Sequence, residues 1–315
     1  MKKKIKTYLL TGFLGAGKTT FLNHLLGLKV SETNYVIENE FGKNSIDSTL
    51  VTKNYNQLFE LNNGCICCSL DSELIEVLAQ LVRLDSQPDN LFIEASGVAD
   101  AGILASIFQR DDVKKYFELR QVICIVDAEN FEDRLEEVSE PYRQLVASST
   151  LVISKIDLIQ PSYEEHLREL LQKINPLASI CSNQELDAYN FFKNNYSDFT
   201  PTNGLAHSMV EGPHRMKSIA IETNEVFDRE KLYATLSMTL YLSYHQVYRV
   251  KGFVKVAGED HPILVQSTGN TVSFSKTDAP KKSPNVLVFI GKGIERKGLE
   301  RILAKTIANK AQVTA

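Results

Sequence analysis

Residues 7–20, TYLLTGFLGAGKTT, decide the fold of this chain. The apolar run Tyr8–Leu10 predicts a buried strand, and the apolar positions of residues 21–26 predict a helix. Between them lies the phosphate-loop pattern, in which glycines let backbone amides wrap closely around phosphate groups at the start of a helix. Lys18 would reach the β- and γ-phosphates and the Thr19 hydroxyl would hold Mg²⁺. The sequence therefore predicts a nucleoside triphosphate site, formed by Gly12, Gly15, Ala16, Gly17, Lys18, Thr19 and Thr20.

Composition limits the partners and the compartment. The 315 residues leave room for two domains, and a net charge of −4 argues against a nucleic-acid partner. Four lysines before the first apolar run are reminiscent of a signal peptide, but three glycines interrupt the run and no small-x-small cleavage site precedes Lys18. No other window approaches the roughly 18 apolar residues of a membrane span. A cytoplasmic protein with neither a membrane nor a nucleic-acid partner is expected.

Two further strands end in carboxylates. Tyr35–Ile37 leads into Glu38 and Glu40, where P-loop GTPases carry a switch that senses the γ-phosphate; a solvated acidic loop is the alternative. Leu91–Ile93 leads into Glu94, and Gly97 follows three residues later. In a P-loop fold, an acid at the position of Glu94 holds Mg²⁺ through water, and the amide of a glycine such as Gly97 can contact the γ-phosphate.

Three of the five cysteines crowd into Gly-Cys-Ile-Cys-Cys, at Cys65, Cys67 and Cys68. Thiolates are soft ligands that suit Zn²⁺, Cu⁺ or similar ions. Three sulfurs leave a fourth position, which Glu38, Glu40 or water could fill. A redox pair or idle thiols are the alternative. The other two cysteines, Cys124 and Cys181, lie in apolar runs and are expected to be small buried hydrophobes.

The strand predicted at 150–153 is followed by Ser-Lys-Ile-Asp, which is similar to the guanine-recognition motif of GTPases, with Ser154 where Asn is commoner. Asp157 would accept both N–H groups of the guanine edge, and Lys155 would lie along the base. Asp127, at the end of the preceding strand, either lines the same edge or caps a helix.

The order of elements predicts an α/β fold. Strands alternate with helices up to residue 185, which indicates a doubly wound, mostly parallel sheet that binds ligands at the carboxyl ends of its strands. Residues 186–215 are polar and have a linker composition. Residues 216–315 predict a second, smaller α+β domain with mostly antiparallel strands.

With its phosphate loop, Glu-Asn-Glu-Phe-Gly, Gly-Cys-Ile-Cys-Cys, Glu-x-Ser-Gly and Ser-Lys-x-Asp in this order, the chain resembles the CobW-like GTPases, which are described as metal chaperones. Their core is similar to that of the nickel-insertion GTPases of urease and hydrogenase maturation. The resemblance runs nearly end to end and implies a P-loop GTPase domain at 1–185 and a CobW-like domain at 216–315. It assigns Glu38 and Glu40 to the switch, Cys65, Cys67 and Cys68 to a transition metal, and Asp157 to guanine. Relatives are linked to cobalt, zinc, iron and nickel, and the expected ion here is Zn²⁺ or Co²⁺ with Glu38 as a further ligand.

Two departures from the family pattern argue against additional metal sites. Many members carry a polyhistidine stretch, whereas His207, His214, His245 and His261 are scattered here. Lys43 stands where some relatives have a glutamate.

The expected activity is hydrolysis of GTP with Mg²⁺, involving Lys18, Thr19, Glu40 and Glu94. No arginine finger is evident in the motifs, so intrinsic turnover is expected to be slow and open to acceleration by a partner or by a homodimer. A client metalloprotein is a further expected partner. The alternatives are a P-loop kinase of a small molecule, and a nucleotide-gated adaptor or metal sensor that delivers no metal.

Overall fold

The first strand of the chain is buried except at Lys6. The computed structural model describes residues 3–38, 55–60, 70–137, 140–186, 191–193, 208–209, 216–243, 246–269, 271–276 and 285–309. β1 (Ile5–Thr11) is apolar over most of its length and pairs in parallel with a strand on each side. Such a continuous apolar run is typical of a central strand in a parallel sheet that is covered on both faces.

The sheet that contains β1 has seven parallel strands in the order β3-β2-β4-β1-β5-β6-β7. Its other strands are β2 (Asn34–Glu38), β3 (Gln57–Glu60), β4 (Asn90–Glu94), β5 (Phe117–Asp127), β6 (Thr150–Ser154) and β7 (Ser179–Ser182).

Helices cover both faces of this sheet. Leu9 packs into an apolar cluster with the second and third helices, while Tyr8 and Leu10 pack into a separate cluster with the first helix. Alternate residues of one strand therefore enter two cores, which confirms the predicted doubly wound fold. The helices are α1 (Lys18–Leu28), α2 (Leu70–Arg83), α3 (Ala101–Ile107), α4 (Asp111–Lys114), α5 (Phe131–Glu137), α6 (Glu140–Ala147) and α7 (Pro161–Ile174).

Four of these elements were not anticipated in the sequence: β3, α4, α5 and α6. β3 is a four-residue edge strand with two apolar residues, and α4 is a single turn. α5 and α6 are short, and half or more of their residues are charged or polar. Neither length nor apolar periodicity marks such elements, although α5 and α6 flank the functional edge of the sheet.

The second sheet has the order β12-β11-β10-β13-β9-β8 and is antiparallel wherever its strands pair. One face packs against α8 and α9 through an apolar cluster that includes Leu232, Leu236 and Leu299. The expected α+β architecture is confirmed. The elements are β8 (Ser208–Met209), β9 (Met216–Thr223), α8 (Arg229–Leu242), β10 (Val247–Val254), β11 (Ile263–Thr268), β12 (Thr271–Lys276), β13 (Asn285–Lys292) and α9 (Arg296–Ala304).

By its internal contacts the chain divides into two compact units. The first comprises residues 1–169 and 178–198, and the second comprises residues 170–177 and 199–315. The boundaries given in the sequence analysis, 1–185 and 216–315 around a linker at 186–215, stay a prediction. Within the described ranges, no helix combines the length and the apolar character that crossing a bilayer requires.

Candidate functional site: the nucleotide-binding edge of the parallel sheet

The phosphate loop joins β1 to α1 with three glycines in left-handed or related conformations. Gly12, Gly15 and Gly17 have φ values of 140°, 77° and 90°. At Gly12 a Cβ would lie 2.4 Å from the carbonyl oxygen of Ile125 in β5, so the loop passes against the neighbouring strand without room for a side chain. Gly17 is the residue before the first turn of α1. The amides at this helix N-terminus thus become available to an anion.

Thr19 and Glu94 meet across the loop as the sequence predicts. The Thr19 hydroxyl donates to Glu94 Oε1 at 2.8 Å, although the residues are 75 positions apart. The carboxylate of Glu94 is held where β4 ends, and only 9% of this residue is exposed. A hydroxyl and a carboxylate are oxygen ligands of the type that Mg²⁺ prefers, so the residues present fit this ion.

Glu38 occupies the matching position on the next strand. In the pairing of β2 with β4, Glu38 is the partner of Glu94, and it is 4% exposed. Two buried acidic residues therefore stand side by side at the carboxyl ends of adjacent strands. Such a pair is costly unless a cation or hydrogen-bond donors compensate the charge.

The segment after β4 comes into direct contact with the phosphate loop. A Cβ on Gly97 would lie 2.8 Å from the backbone nitrogen of Leu14 and 2.7 Å from the end of its side chain. Only glycine permits this approach. The close contact supports the expectation that the Gly97 amide lies near the γ-phosphate, which remains a prediction.

At the end of β6, Ser154 ties the base-recognition motif to the phosphate loop. Its buried hydroxyl lies 2.8 Å from the carbonyl oxygen of Ala16 and 3.0 Å from that of Val126. Serine in this motif therefore contacts the loop backbone directly. The sequence analysis noted Ser154 only as a departure from the commoner Asn, because the contact spans 138 positions and no local pattern reveals it.

Lys155 and Asp157 follow in a tight turn. Lys155 has φ 58°, which among the described non-glycine residues is the one positive value, and its Nζ lies 2.8 Å from Asp127 Oδ2. Asp157 lies in the 3₁₀ turn Ile156–Leu158 and is exposed. An exposed carboxylate at the rim of the edge is available to a base, as the motif predicts.

Asp127 therefore lines the edge and does not cap a helix. Its carboxylate accepts hydrogen bonds from Lys155, from the Asn130 side chain and from the Glu129 amide. Asp127 is four positions before the first residue of α5, whereas a capping residue directly precedes its helix. Burial disfavours the charged form, but the hydrogen bonds from Lys155 and Asn130 outweigh it and hold the pKa of Asp127 below its ordinary value.

A cavity of about 220 Å³ adjoins the phosphate loop. It extends from Phe13, Leu14 and Gly15 to the carboxyl end of β5 and to α5 and α6, which the sequence analysis missed. Arg134 of α5 places its guanidinium 5.8 Å from the centre of the Phe13 ring. A cationic side chain therefore lies beside the loop, although no motif in the sequence indicated one.

The structure does not describe the predicted thiolate site. Glu40, Cys65, Cys67 and Cys68 lie outside the described residues, as do Lys43, His207, His214 and His245. Within the described part of the chain, no cluster of three or more His, Cys, Asp or Glu residues could hold a metal ion. Cys124 is buried, and burial raises the pKa of its thiol to about 12. The half-buried Cys181 has a pKa of about 11 for the same reason, so both are inert thiols.

A phosphate loop between a central parallel strand and a helix, with two buried acids and an exposed Asp on the same edge, defines a P-loop nucleotide-binding protein. Two family descriptions match the chain: "CobW/HypB/UreG, nucleotide-binding domain" over residues 6–182, and "Cobalamin synthesis protein cobW C-terminal domain" over residues 216–307. The chain belongs to the CobW/HypB/UreG family, so the resemblance inferred from the motifs is confirmed.

Characterised relatives agree with this assignment. The chain is 31% identical over 300 residues to the zinc chaperone YjiA of Escherichia coli K12, covering 91% of this chain and 94% of that protein. It is 25% identical over 363 residues to the zinc-regulated GTPase metalloprotein activator 1 of Saccharomyces cerevisiae, covering 97% and 84%. The predicted class, a GTPase that handles metal, agrees with both names.

Two solved structures of E. coli YjiA share the fold. The Zn(II)-bound GTPase superposes with a TM-score of 0.68 at 25% identity, covering 98% of this chain and 100% of the other. A YjiA variant in which one glutamate and two cysteines are replaced by alanine gives the same values and is also described as Zn(II)-bound.

Proposed function

We propose that this protein hydrolyses GTP and couples the nucleotide state to the loading and release of a transition-metal ion, with Zn²⁺ or Co²⁺ as cargo. The observation that carries the proposal is the pairing of Glu38 with Glu94, whose carboxylate accepts from Thr19 at 2.8 Å. Glu94, which serves the triphosphate, therefore lies on the strand next to β2, and β2 ends in the proposed metal ligand Glu38.

On the nucleotide side, Asp157 accepts the two N–H groups of guanine and Lys155 lies along the base, so GTP is preferred to ATP. Lys18 and the loop amides neutralise the charge that develops on the γ-phosphate. Thr19 and Glu94 would hold Mg²⁺, which supplies further charge neutralisation when bound. Glu40 completes the proposed catalytic group.

On the metal side, Cys65, Cys67 and Cys68 are the proposed thiolate ligands, and Glu38 is the proposed oxygen ligand. The three cysteines come between the switch, which contains Glu38, and the Gly97 segment in the chain. A γ-phosphate that orders both the switch and the Gly97 segment would also fix the cysteines between them and complete the metal site. Hydrolysis would loosen the site again. In the alanine variant of YjiA, one glutamate and two cysteines are replaced, and these are the residue types of the ligands proposed here. A cytoplasmic location, a client metalloprotein and a homodimer remain part of the proposal.

The test is a competition titration against a chromophoric chelator. Affinities for Zn²⁺ and for Co²⁺ are measured in the apo form, with GDP and with a non-hydrolysable GTP analogue. We expect the GTP form to bind metal roughly 5- to 150-fold more tightly, and by reciprocity the metal must tighten GTP by the same factor.

Cys67→Ala should abolish this difference, whereas Cys181→Ala, at a thiol outside the proposed site, should preserve it. The number of metal ions bound per chain must be recorded as well, because a YjiA variant with three residues replaced by alanine is still described as Zn(II)-bound. Equal metal affinity in all three nucleotide states would exclude the coupling, even if zinc binds.

A further inference from the structure

Gln144 of α6 reaches out of its helix to hold the segment after β4. The side chain is buried, with 1% of the residue exposed. Its Nε2 donates to the carbonyl oxygen of Gly97 at 2.9 Å and lies 3.4 Å from that of Ala99. Both partners are acceptors, so the amide orientation is fixed and only a donor can serve here.

The residue before it reinforces the same contact. Arg143 Nη1 lies 3.4 Å from Asp100 Oδ2, and Asp100 caps α3 by accepting from the amides of Gly102 and Ile103. Two consecutive side chains of α6 therefore hold consecutive parts of the 97–100 segment. This segment is fixed to α6 as well as to its own strand.

The other side of this segment faces the phosphate loop. Gly97 abuts the phosphate loop at Leu14, and Glu94, three residues earlier, accepts from Thr19. A backbone shift at Gly97 would therefore be felt directly in the loop. Gln144 itself lines the cavity beside that loop.

The amide of Gln144 is not explained by stability alone. Its Oε1 is buried and accepts no hydrogen bond from the described residues. An unsatisfied buried acceptor costs free energy, which a simple packing residue would avoid. The side chain is kept polar for the sake of its donor.

We infer that Gln144 is a positioning residue that holds the Gly97–Ala99 backbone in place for the γ-phosphate, and that it thereby sets the preference for triphosphate over diphosphate. The inference deepens the proposed function and rests on it. The role assigned to Gln144 runs through Gly97 and Ala99, whose carbonyls it binds. Gln144 acts by fixing the Gly97 carbonyl, and hence the position of Gly97, whose own amide lies in the preceding peptide.

The decisive variant is Gln144→Met, which keeps the length of the side chain and removes the donor. We expect the Kd for a non-hydrolysable GTP analogue to rise about tenfold, and the Kd for GDP to change by less than about twofold. The hydrolysis rate at saturating GTP should fall as well. Gln121→Met is the matched control, because Gln121 is also fully buried in the same unit and donates to the Phe191 carbonyl. It lies near the middle of β5, away from the carboxyl end of that strand.

Two outcomes overturn the inference. If the ratio of triphosphate to diphosphate affinity falls equally in both variants, Gln144 is only a packing residue. If Gln144→Met binds the GTP analogue more tightly than the unsubstituted protein does, the amide holds the segment away from the phosphate.

A measurement on the unsubstituted protein covers the case in which Gln144→Met does not fold. Hydrogen exchange of residues 97–100 should slow with the GTP analogue and not with GDP, and equal protection by both would refute the inference. The ratio of triphosphate to diphosphate affinity is taken between nucleotides of the same base, so it does not depend on which base the protein prefers. If ATP proves to be the true ligand, the GTPase proposal fails while the role of Gln144 is still tested with ATP and ADP.

Discussion

The phosphate end and the base end of the nucleotide site are built in different ways. At the phosphate end, the loop lies against β5 at Gly12 and against the segment after β4 at Gly97, with no space for a Cβ at either place. At the base end, Asp157 is exposed on a short turn, and Lys155 is held by one carboxylate. Ser154 joins the two ends through the Ala16 carbonyl.

This difference separates what each end contributes. Contacts of the phosphate end also hold β1, β4 and β5 together, so its geometry is part of the core of the fold. The base end contributes little to the core and can be altered without disturbing it. Substitutions at the phosphate end should therefore change stability and all nucleotide binding together, whereas substitution of the exposed Asp157 at the base end should change selectivity alone.

The largest effect is expected for Gly12→Ala. A methyl group there would lie 2.4 Å from the Ile125 carbonyl at a φ of 140°, so the loop or β5 must move. Strain and overpacking together should cost about 2–4 kcal/mol of unfolding free energy, measured by urea denaturation. Binding of GTP and of GDP should be lost in parallel.

Gly27→Ala is the control for that prediction. Gly27 is exposed within α1 and an added Cβ would meet nothing within 4 Å, so alanine should stabilise the protein by about 0.5–1 kcal/mol. Equal stability of the two variants would contradict the view that the phosphate end is part of the core.

The next effect concerns selectivity at the base end. Asp157→Asn replaces an acceptor of two N–H groups by a mixed donor and acceptor. GTP affinity should fall by about 10- to 100-fold, as for a lost hydrogen bond to a charged group, and xanthosine triphosphate should bind better than to the unsubstituted protein. Competition with a fluorescent nucleotide measures both.

Stability of Asp157→Asn should stay within about 0.5 kcal/mol, because the residue is exposed. Unchanged GTP affinity would mean that Asp157 does not contact the base.

The two ends also differ in what the sequence reveals. The phosphate loop, Glu94 and the Ser-Lys-Ile-Asp motif follow apolar runs that could only be strands, and the carboxyl ends of parallel strands share an edge. Sequence alone therefore predicts the doubly wound sheet and the meeting of Thr19 with Glu94. It does not predict α6, whose polar residues hide its register, or the contact between Gln144 and Gly97, 47 positions apart. Such contacts depend on tertiary packing, which leaves no local pattern.

The smallest effect is expected at the ion pair that supports Lys155. Because the pKa of Asp127 is held below its ordinary value of 3.8, the folded state binds its proton less readily than the unfolded state does. The charged form therefore stabilises the fold at pH values above 3.8, and this contribution is lost as the pH falls through the lowered pKa. Asp127→Asn should be less stable than the unsubstituted protein above about pH 5, and the difference should shrink below pH 3.8.

Urea denaturation of Asp127→Asn and the unsubstituted protein across this range measures the effect, and Asp111→Asn is the control, since Asp111 is an exposed residue of α4. GTP affinity of Asp127→Asn should fall less than that of Asp157→Asn, because asparagine can still accept a hydrogen bond from Lys155. A larger loss of GTP affinity than of stability would show that Lys155 needs the full charge of Asp127 to meet the base. The base end would then depend on the buried carboxyl end of β5, as the phosphate end does at Gly12.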